Sequence, residues 1–409
     1  MNNITNLKQA VILAGGQGSR LRPLTNKTPK PMIPFHGKPF LLYLIEMLKE
    51  QRFEKVLLLL GYLPHVVKDY FGDGSSFGIH IDYSITDVEN ETARRLKLAE
   101  DKVDPVFLLM YCDNYWPMNI SRMWDLFVKN NVAAQVSAYS NKDKYTKDNM
   151  RVNEHGIVSL YDKSRSAEGL QGVDIGFVIM RKEVVYPLIP QENVNFEKAV
   201  YPLLVENQQL GAYMSDHRYY SVGSHERLPL TAAFLENQPA IILDRDGVLN
   251  VKPPKARYVT MYNEFIWLPG AKDAVKLLKA HGYRVIVITN QAGISRGFMT
   301  ESDLDTIHNN MKEDLAKHGA AIDAIYYCPH GWDEGCECRK PKPGMLFQAQ
   351  KDFHLDITKT FFIGDDVRDK QAGDAAGCKT LLVSSQMSVL QAIKEQVLPG
   401  KLTLPLAGC

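Results

Sequence analysis

Apolar residues fall in short runs that end at turn residues, and these runs alternate with helix-like stretches. Residues 8–14 (KQAVILA) are apolar up to Gly15-Gly16, the pattern of a strand buried on both faces. Residues 40–50 (FLLYLIEMLKE) carry their apolar side chains at helical spacing. VLLLLGY (56–62) and PVFLLMYC (105–112) again read as strands, as do residues 170–180 and 211–223. Residues 224–236 are helical in character and stop at Asn237-Gln238-Pro239. The cycle then restarts with the strand AIILD. Helices are predicted over 271–281, 301–318, 344–354 and 368–376, with strands over 283–289, 324–328, 361–365 and 380–383. Alternation of this kind predicts the α/β class with two doubly wound domains, residues 1–237 and 238–409. The tail from Leu398 to Cys409 carries no periodic signal.

Composition narrows the partners. A chain of 409 residues is too long for one ordinary core. Its formal net charge of +1 gives no general affinity for nucleic acid or an anionic membrane. The first ten residues lack the apolar stretch of a signal peptide, and no run is long enough to span a bilayer. Three of the six cysteines crowd one short segment beside His330, which favours metal binding in a reducing cytoplasm over a disulfide scaffold.

Two stretches carry chemistry. The first is VILAGGQGSRLRPLTNKTPKPM (11–32). After a strand, and expected to open a helix, Ala14, Gly15, Gly16 and Gly18 let main-chain N–H groups approach an anionic phosphate chain, while Arg20 and Lys30 supply fixed cations. The pattern Gly-Gly-x-Gly-x-Arg-Leu followed by Pro-Lys-Pro-Met resembles the sugar-1-phosphate nucleotidyltransferases over residues 8–230. The resemblance implies a Rossmann-like domain in which a sugar phosphate oxygen attacks the α-phosphorus of a nucleoside triphosphate and releases pyrophosphate. It implies that Arg20 and Lys30 stabilise the triphosphate and that Asp113 holds Mg²⁺. It places Lys163, in LYDKS, on the sugar phosphate and Asp174, in GVDIGF, on the sugar. Three departures stand out: Cys112 precedes Asp113 in place of glycine, ENETARRL (89–96) replaces a glycine-containing stretch, and Ser221 stands where a second metal-binding aspartate is expected. A two-carboxylate site that loses one carboxylate binds a hard cation more weakly. Arg94 and Arg95 are expected either to crowd the sugar pocket or to grip a second anionic group.

The second stretch begins at IILDRDGVLN (241–250). Asp244 and Asp246 follow a strand, so one carboxylate can attack phosphorus while the other handles protons. Thr289 ends VIVIT, Asp365 ends FFIGD, and Lys340 lies in CRKPKPGM. DRDGVLN, TNQAGISRG, CRKPKPGM and GDDVRD together resemble the haloacid-dehalogenase-type phosphatases over residues 238–395, in the branch acting on heptose bisphosphate and histidinol phosphate. The resemblance implies Asp244 as nucleophile, Asp246 as general acid/base, and Mg²⁺ on Asp244, Asp246 and Asp365. It implies Thr289 and Lys340 on the phosphoryl group, Arg339 on the substrate, and Asn290 and Gln291 lining the pocket. Asp366 departs from relatives with lysine there. Cys328, His330, Cys336 and Cys338 make a closed tetrahedral set for structural Zn²⁺.

The joint expectation is a two-step enzyme of lipopolysaccharide-type nucleotide-sugar biosynthesis. The phosphatase removes the 7-phosphate of D-glycero-D-manno-heptose 1,7-bisphosphate, and the transferase couples the product to a nucleoside triphosphate, with GTP the expected donor. The alternatives are a phosphatase with an inactive N-terminal ligand-binding domain, and a histidinol-phosphate phosphatase. Expected partners are a phosphorylated heptose and a nucleotide, with no nucleic acid and no membrane; a homo-oligomer is compatible with this reading.

Overall fold

The computed structural model describes residues 7–399; the first six residues and the tail from 400 to Cys409 lie outside the described residues. Contacts divide the chain into two compact units that meet between Glu236 and Asn237.

The N-terminal unit is built on a seven-stranded sheet. In chain order its strands are β1 (Gln9–Ala14), β2 (Lys55–Leu60), β3 (His80–Ile85), β4 (Val106–Tyr111), β5 (Ala134–Tyr139), β6 (Val173–Arg181) and β7 (Leu210–Ser215). Their spatial order is β7-β5-β6-β4-β1-β2-β3. Every pairing is parallel except the two made by β6, which runs antiparallel to both β4 and β5. Ala10, Ile12 and Ala14 face one apolar layer, and Val11 and Leu13 the other, so β1 is buried on both sides as its unbroken apolar run requires. The strand expected over 211–223 divides into β7 and a two-residue strand, Tyr220–Ser221.

The C-terminal unit repeats the plan on a smaller scale. Its strands are β8 (Ala240–Leu243), β9 (Arg284–Asn290), β10 (Ala324–Cys328), β11 (Phe361–Gly364) and β12 (Lys379–Leu382), in the order β10-β9-β8-β11-β12. All of these pairings are parallel. The first strand therefore sits at the centre, where β9 and β11 flank it and their C-terminal ends converge.

One expectation fails locally. The glycine loop opens no α-helix; three short 3₁₀ turns follow it, Ser19–Leu21, Leu24–Asn26 and Lys30–Met32, before the helix Phe40–Glu50. Pro23, Pro29, Pro31 and Pro34 lack the N–H that helix propagation needs. Any anion here meets individual N–H groups and side-chain cations, not a long helix dipole.

Arg95 settles the reading of ENETARRL. It lies on the helix Thr92–Leu98 and is 3% exposed. Its guanidinium donates to the carbonyls of Leu60 (2.9 Å), Asp87 (3.0 Å) and Val88 (3.1 Å) and to Thr86 Oγ1 (2.6 Å), with Gly15 O at 3.4 Å. A Cβ on Gly15 or Gly61 would collide with this guanidinium. Arg95 thus neither crowds the sugar pocket nor faces a ligand; it ties the ends of β1 and β2 to the segment after β3. An unsatisfied buried polar group costs about 1–3 kcal/mol. Arg95→Met, which strands several carbonyls at once, is expected to lower unfolding stability of the N-terminal unit by about 3 kcal/mol, read as a fall in its urea midpoint.

Candidate functional site

In the C-terminal unit the central strand β8 delivers Asp244 and Asp246 just past its last residue. Asp244 is 7% exposed, and the Lys340 ammonium lies 2.8 Å from its Oδ1. The same ammonium lies 2.7 Å from Asp369 Oδ1. Asp369 in turn accepts the main-chain N–H groups of Asp365 and Asp366, both at 3.1 Å. Asn290, at the end of β9, clasps the Lys340 main chain reciprocally: its Nδ2 donates to the lysine carbonyl and its Oδ1 accepts the lysine N–H, both at 3.1 Å. Gly247 has φ +92°, and a Cβ there would collide with the Asp365 carboxylate, so glycine is required on both counts.

Asp246 lives in a different environment. Asn250 Nδ2 and Gln291 Nε2 each donate to it at 2.9 Å. The Gln291 amide also donates to Thr289 Oγ1 at 2.8 Å, which orients that hydroxyl. Arg245, fully buried, makes a two-pronged contact with Asp246 at 3.1 and 3.0 Å. Its other amine lies 3.3 Å from His308 Nε2. Burial, then Arg245, push His308 down to about 3, so a neutral imidazole accepts that contact.

These surroundings drive the aspartates apart. Burial pushes the Asp244 carboxyl up, with Asp369 and Asp246 adding to the rise and Lys340 opposing it. Burial also acts on Asp246, yet Arg245 and the hydrogen bonds from Asn250 and Gln291 outweigh it and hold that carboxyl below its usual value. Asp365 is raised by burial against the pull of Lys252, whose ammonium lies 2.8 Å from Asp365 Oδ2 and 3.2 Å from Asp366. Asp366 is further held by the Arg368 guanidinium at 3.0 Å on both oxygens.

Carboxylate oxygens of Asp244, Asp365 and Asp369 all lie within 4.8 Å of one another. The expected third member, Asp246, is not in this group, because its carboxylate is turned into Arg245, Asn250 and Gln291. Oxygen-only donors of this density suit a hard divalent ion. The group opens into a cavity of about 670 Å³ whose wall includes Thr289, Gln291, Arg339 and Lys340. Lys255, Arg257 and Arg368 also line it, so the cavity is cationic well beyond the carboxylate group.

Cys328, His330, Cys336 and Cys338 come together as expected, with sulfur–sulfur distances of 3.2–3.6 Å. His330 Nδ1 lies 3.3 Å from Cys338 Sγ and 3.6 Å from Cys328 Sγ. Three sulfurs and one ring nitrogen at these separations fit a tetrahedral Zn²⁺. Arg339 Nη1 donates to the His330 carbonyl at 3.1 Å, so the cluster also anchors that arginine.

In the N-terminal unit the Lys30 ammonium lies 2.7 Å from Asp113 Oδ2. Burial opposes both charges, but their pairing prevails, raising Lys30 and lowering Asp113. Arg20 is exposed, acts electrostatically on Asp113, and shows no hydrogen bond among the described residues. Ala14 and Gly15 are buried and Gly16 exposed; Gly15 is glycine for Arg95, whereas nothing lies within 4 Å of a Cβ built on Gly16. Gly18 has φ +65° and accepts from Thr25 Oγ1 at 2.9 Å. Lys163 is paired with Glu197 and with Asn195 Oδ1. Burial, then Glu197, push Asp174 up to about 7, and Tyr161 and the Gly176 N–H donate to it. Antiparallel pairing of β4 with β6 brings Asp174 to the end of the sheet where Asp113 stands, and Asn114 Nδ2 donates to the Ile175 carbonyl at 2.7 Å.

Sequence reasoning missed Asp369, Arg245, His308, Lys252 and Glu197. Asp369 and Arg245 left a trace, inside GDDVRD and DRDGVLN; the others sit in stretches that read as loop or helix face.

Residues 9–238, more than half of the chain, match the Nucleotidyl transferase family, and residues 337–400 match the HAD-hydrolase-like family. The D-glycero-beta-D-manno-heptose-1,7-bisphosphate 7-phosphatase of Pseudomonas aeruginosa is 40% identical over 149 residues, 36% of this chain and 83% of that protein. The D-glycero-alpha-D-manno-heptose-1,7-bisphosphate 7-phosphatase of Campylobacter jejuni is 42% identical over 147 residues, again 36% and 83%. A solved D,D-heptose 1.7-bisphosphate phosphatase from B. bronchiseptica, complexed with magnesium and phosphate, is 40% identical over 37% of this chain and 83% of that one, with a TM-score of 0.35. The chain is thus an enzyme in two parts, belonging through residues 9–238 to the nucleotidyl transferase family and through its C-terminal unit to the heptose-1,7-bisphosphate 7-phosphatases.

Proposed function

We propose that the C-terminal unit removes the 7-phosphate of D-glycero-D-manno-heptose 1,7-bisphosphate through an aspartyl-phosphate on Asp244. In this reading the N-terminal unit couples the remaining 1-phosphate to a nucleoside triphosphate, with GTP the expected donor, and releases pyrophosphate. The observation that carries the reading is the set Asp244, Asp246, Thr289, Lys340 and Asp365, gathered on one cavity from three adjacent strands and the loop after β10.

The residues take roles that balance. An Asp244 oxygen attacks phosphorus, the bond to the sugar oxygen breaks, and Asp246 gives that oxygen a proton. Water then attacks the aspartyl-phosphate, Asp246 takes its proton, and inorganic phosphate leaves. Thr289, oriented by Gln291, and Lys340 meet the phosphoryl oxygens. A divalent ion such as Mg²⁺ on Asp244 and Asp365 would neutralise charge on those oxygens when bound. Zn²⁺ on the cysteine cluster would hold the loop that carries Arg339 and Lys340.

The cavity's outer cations favour a bisphosphate. Lys255, Arg257 and Arg339 suit a second phosphate, whereas histidinol phosphate would bring its own ammonium among them. Relatives named for heptose bisphosphate support the same choice. A Cys/His cluster that suits Zn²⁺ over a disulfide supports a reducing, cytoplasmic setting. No helix of the described residues is long and apolar enough to cross a membrane.

Asp244→Asn is expected to abolish phosphate release from the bisphosphate in Mg²⁺, in a phosphate-release assay; release that persists would remove Asp244 from the reaction. Lys30→Ala is expected to abolish pyrophosphate release from GTP and heptose 1-phosphate while phosphate release continues. Arg257→Ala is expected to raise KM for the bisphosphate about tenfold, the loss of one charge-assisted contact, and to leave KM for a phosphomonoester without a second anion unchanged. Elemental analysis should find one equivalent of zinc, and Cys336→Ser should lose it together with phosphatase activity, with pyrophosphate release retained.

A further inference from the structure

The family implies Mg²⁺ at Asp113, and the residues present do not fit it. Asp113 already carries the Lys30 ammonium at 2.7 Å. The adjoining strand, Tyr220–Ser221, pairs Ser221 with Asn114, and the Val222 N–H donates to the Asp113 carbonyl at 2.9 Å. The residue delivered beside Asp113 is therefore a serine, 9% exposed, and it brings a hydroxyl and no charge. Among the described residues, both groups of three or more metal-ligating side chains lie in the C-terminal unit. A hard divalent ion favours several oxygen ligands with compensating negative charge. Here the charge at the site already runs the other way, since the Lys30 ammonium is seated on the Asp113 carboxylate.

We infer that the N-terminal site holds no divalent ion of its own and that the Lys30 ammonium, seated on Asp113, occupies the place of one and receives the phosphates of a nucleoside triphosphate. Asp113 is then a positioning residue for Lys30. Exposed Arg20 and the open side of Gly16 supply the remaining contacts to the polyphosphate. Any metal present in the reaction arrives on the nucleotide. This rests on the transferase reading only in its choice of ligand class.

The test counts Mn²⁺ on the full, zinc-loaded chain without nucleotide, by electron paramagnetic resonance, and measures GTP binding by calorimetry in Mg²⁺ and in EDTA. One Mn²⁺ per chain is expected, and none in an Asp244→Asn/Asp365→Asn variant. GTP should bind in EDTA about as well as in Mg²⁺. Lys30→Ala should weaken it about 10- to 100-fold under both conditions, the loss of a charge-assisted contact. An Mn²⁺ that survives in the double variant and is removed by Asp113→Asn overturns the inference, as does GTP binding that vanishes in EDTA. If GTP binds under neither condition, the Mn²⁺ count alone decides. A chain that binds GTP in EDTA but never releases pyrophosphate sinks the transferase reading and leaves this inference standing. A chain that turns over with Mn²⁺ on Asp113 does the reverse.

Discussion

The Lys340 ammonium lies 2.8 Å from Asp244 and 2.7 Å from Asp369, and none of the three residues is more than 7% exposed. Taking each such ion out of water costs several kcal/mol, and the attraction between them offsets this only while the geometry holds. The surrounding structure supplies that geometry. Asn290 grips the Lys340 main chain, Asp369 holds the turn that presents Asp365, and the Cys/His cluster anchors Arg339, next to Lys340 in the chain. Three segments far apart in sequence thus converge on one buried charge. A well-packed apolar triad would stabilise the fold at least as well. The ionic one leaves a cation and a carboxylate facing a cavity, which is what phosphoryl chemistry uses.

In the proposed function the two halves would meet phosphate in different ways. In the C-terminal unit the partners are rigid, buried side chains at the ends of central strands. In the N-terminal unit they are an exposed arginine, a half-buried lysine and a loop whose prolines keep it from becoming a helix. Arg95 gives that loop its firmness from below: its donors hold the ends of β1 and β2, and Gly15 and Gly61 make room for it. The difference follows from the ligands. A long, highly charged polyphosphate calls for several cations along its length, whereas one phosphoryl group meets its partners at a single point; displacement at phosphorus needs fixed positions in both.

Much of this was legible along the chain, for a physical reason. Buried parallel strands are unbroken apolar runs, so β1, β2, β4 and β8 announce themselves. β5 does not, because Gln135 and Ser137 interrupt AQVSAY even though all six residues are buried. β3 is an edge strand, HIDYSI, and its polar face hides it. Asp244, Thr289 and Asp365 were readable because each ends a strand. Arg245, His308 and Lys252 were not, since their meaning lies in what they touch: a neighbour's carboxylate, a guanidinium 63 positions away, a turn 113 positions away. ENETARRL was correctly singled out as unusual, but only packing could show that Arg95 points inward.

Asp244 and Asp246 begin the proposed reaction with proton affinities that look inverted. The attacking group should be ionised and the acid protonated, yet burial raises Asp244 while Arg245, Asn250 and Gln291 hold Asp246 ionised. The proposed reaction requires both to reverse when substrate and ion are bound. A doubly charged phosphoryl group placed against Asp246 raises its proton affinity by like-charge repulsion, and any divalent cation drawn in with it lowers that of Asp244. In the proposed reaction the pair would reach its reactive protonation state with substrate and ion bound. Gln291 links this switch to Thr289, because its amide donates to the Asp246 carboxylate and to the threonine hydroxyl at once. A change of charge on Asp246 is thus felt at a group that meets the phosphoryl oxygens, without any movement of the strands that carry them.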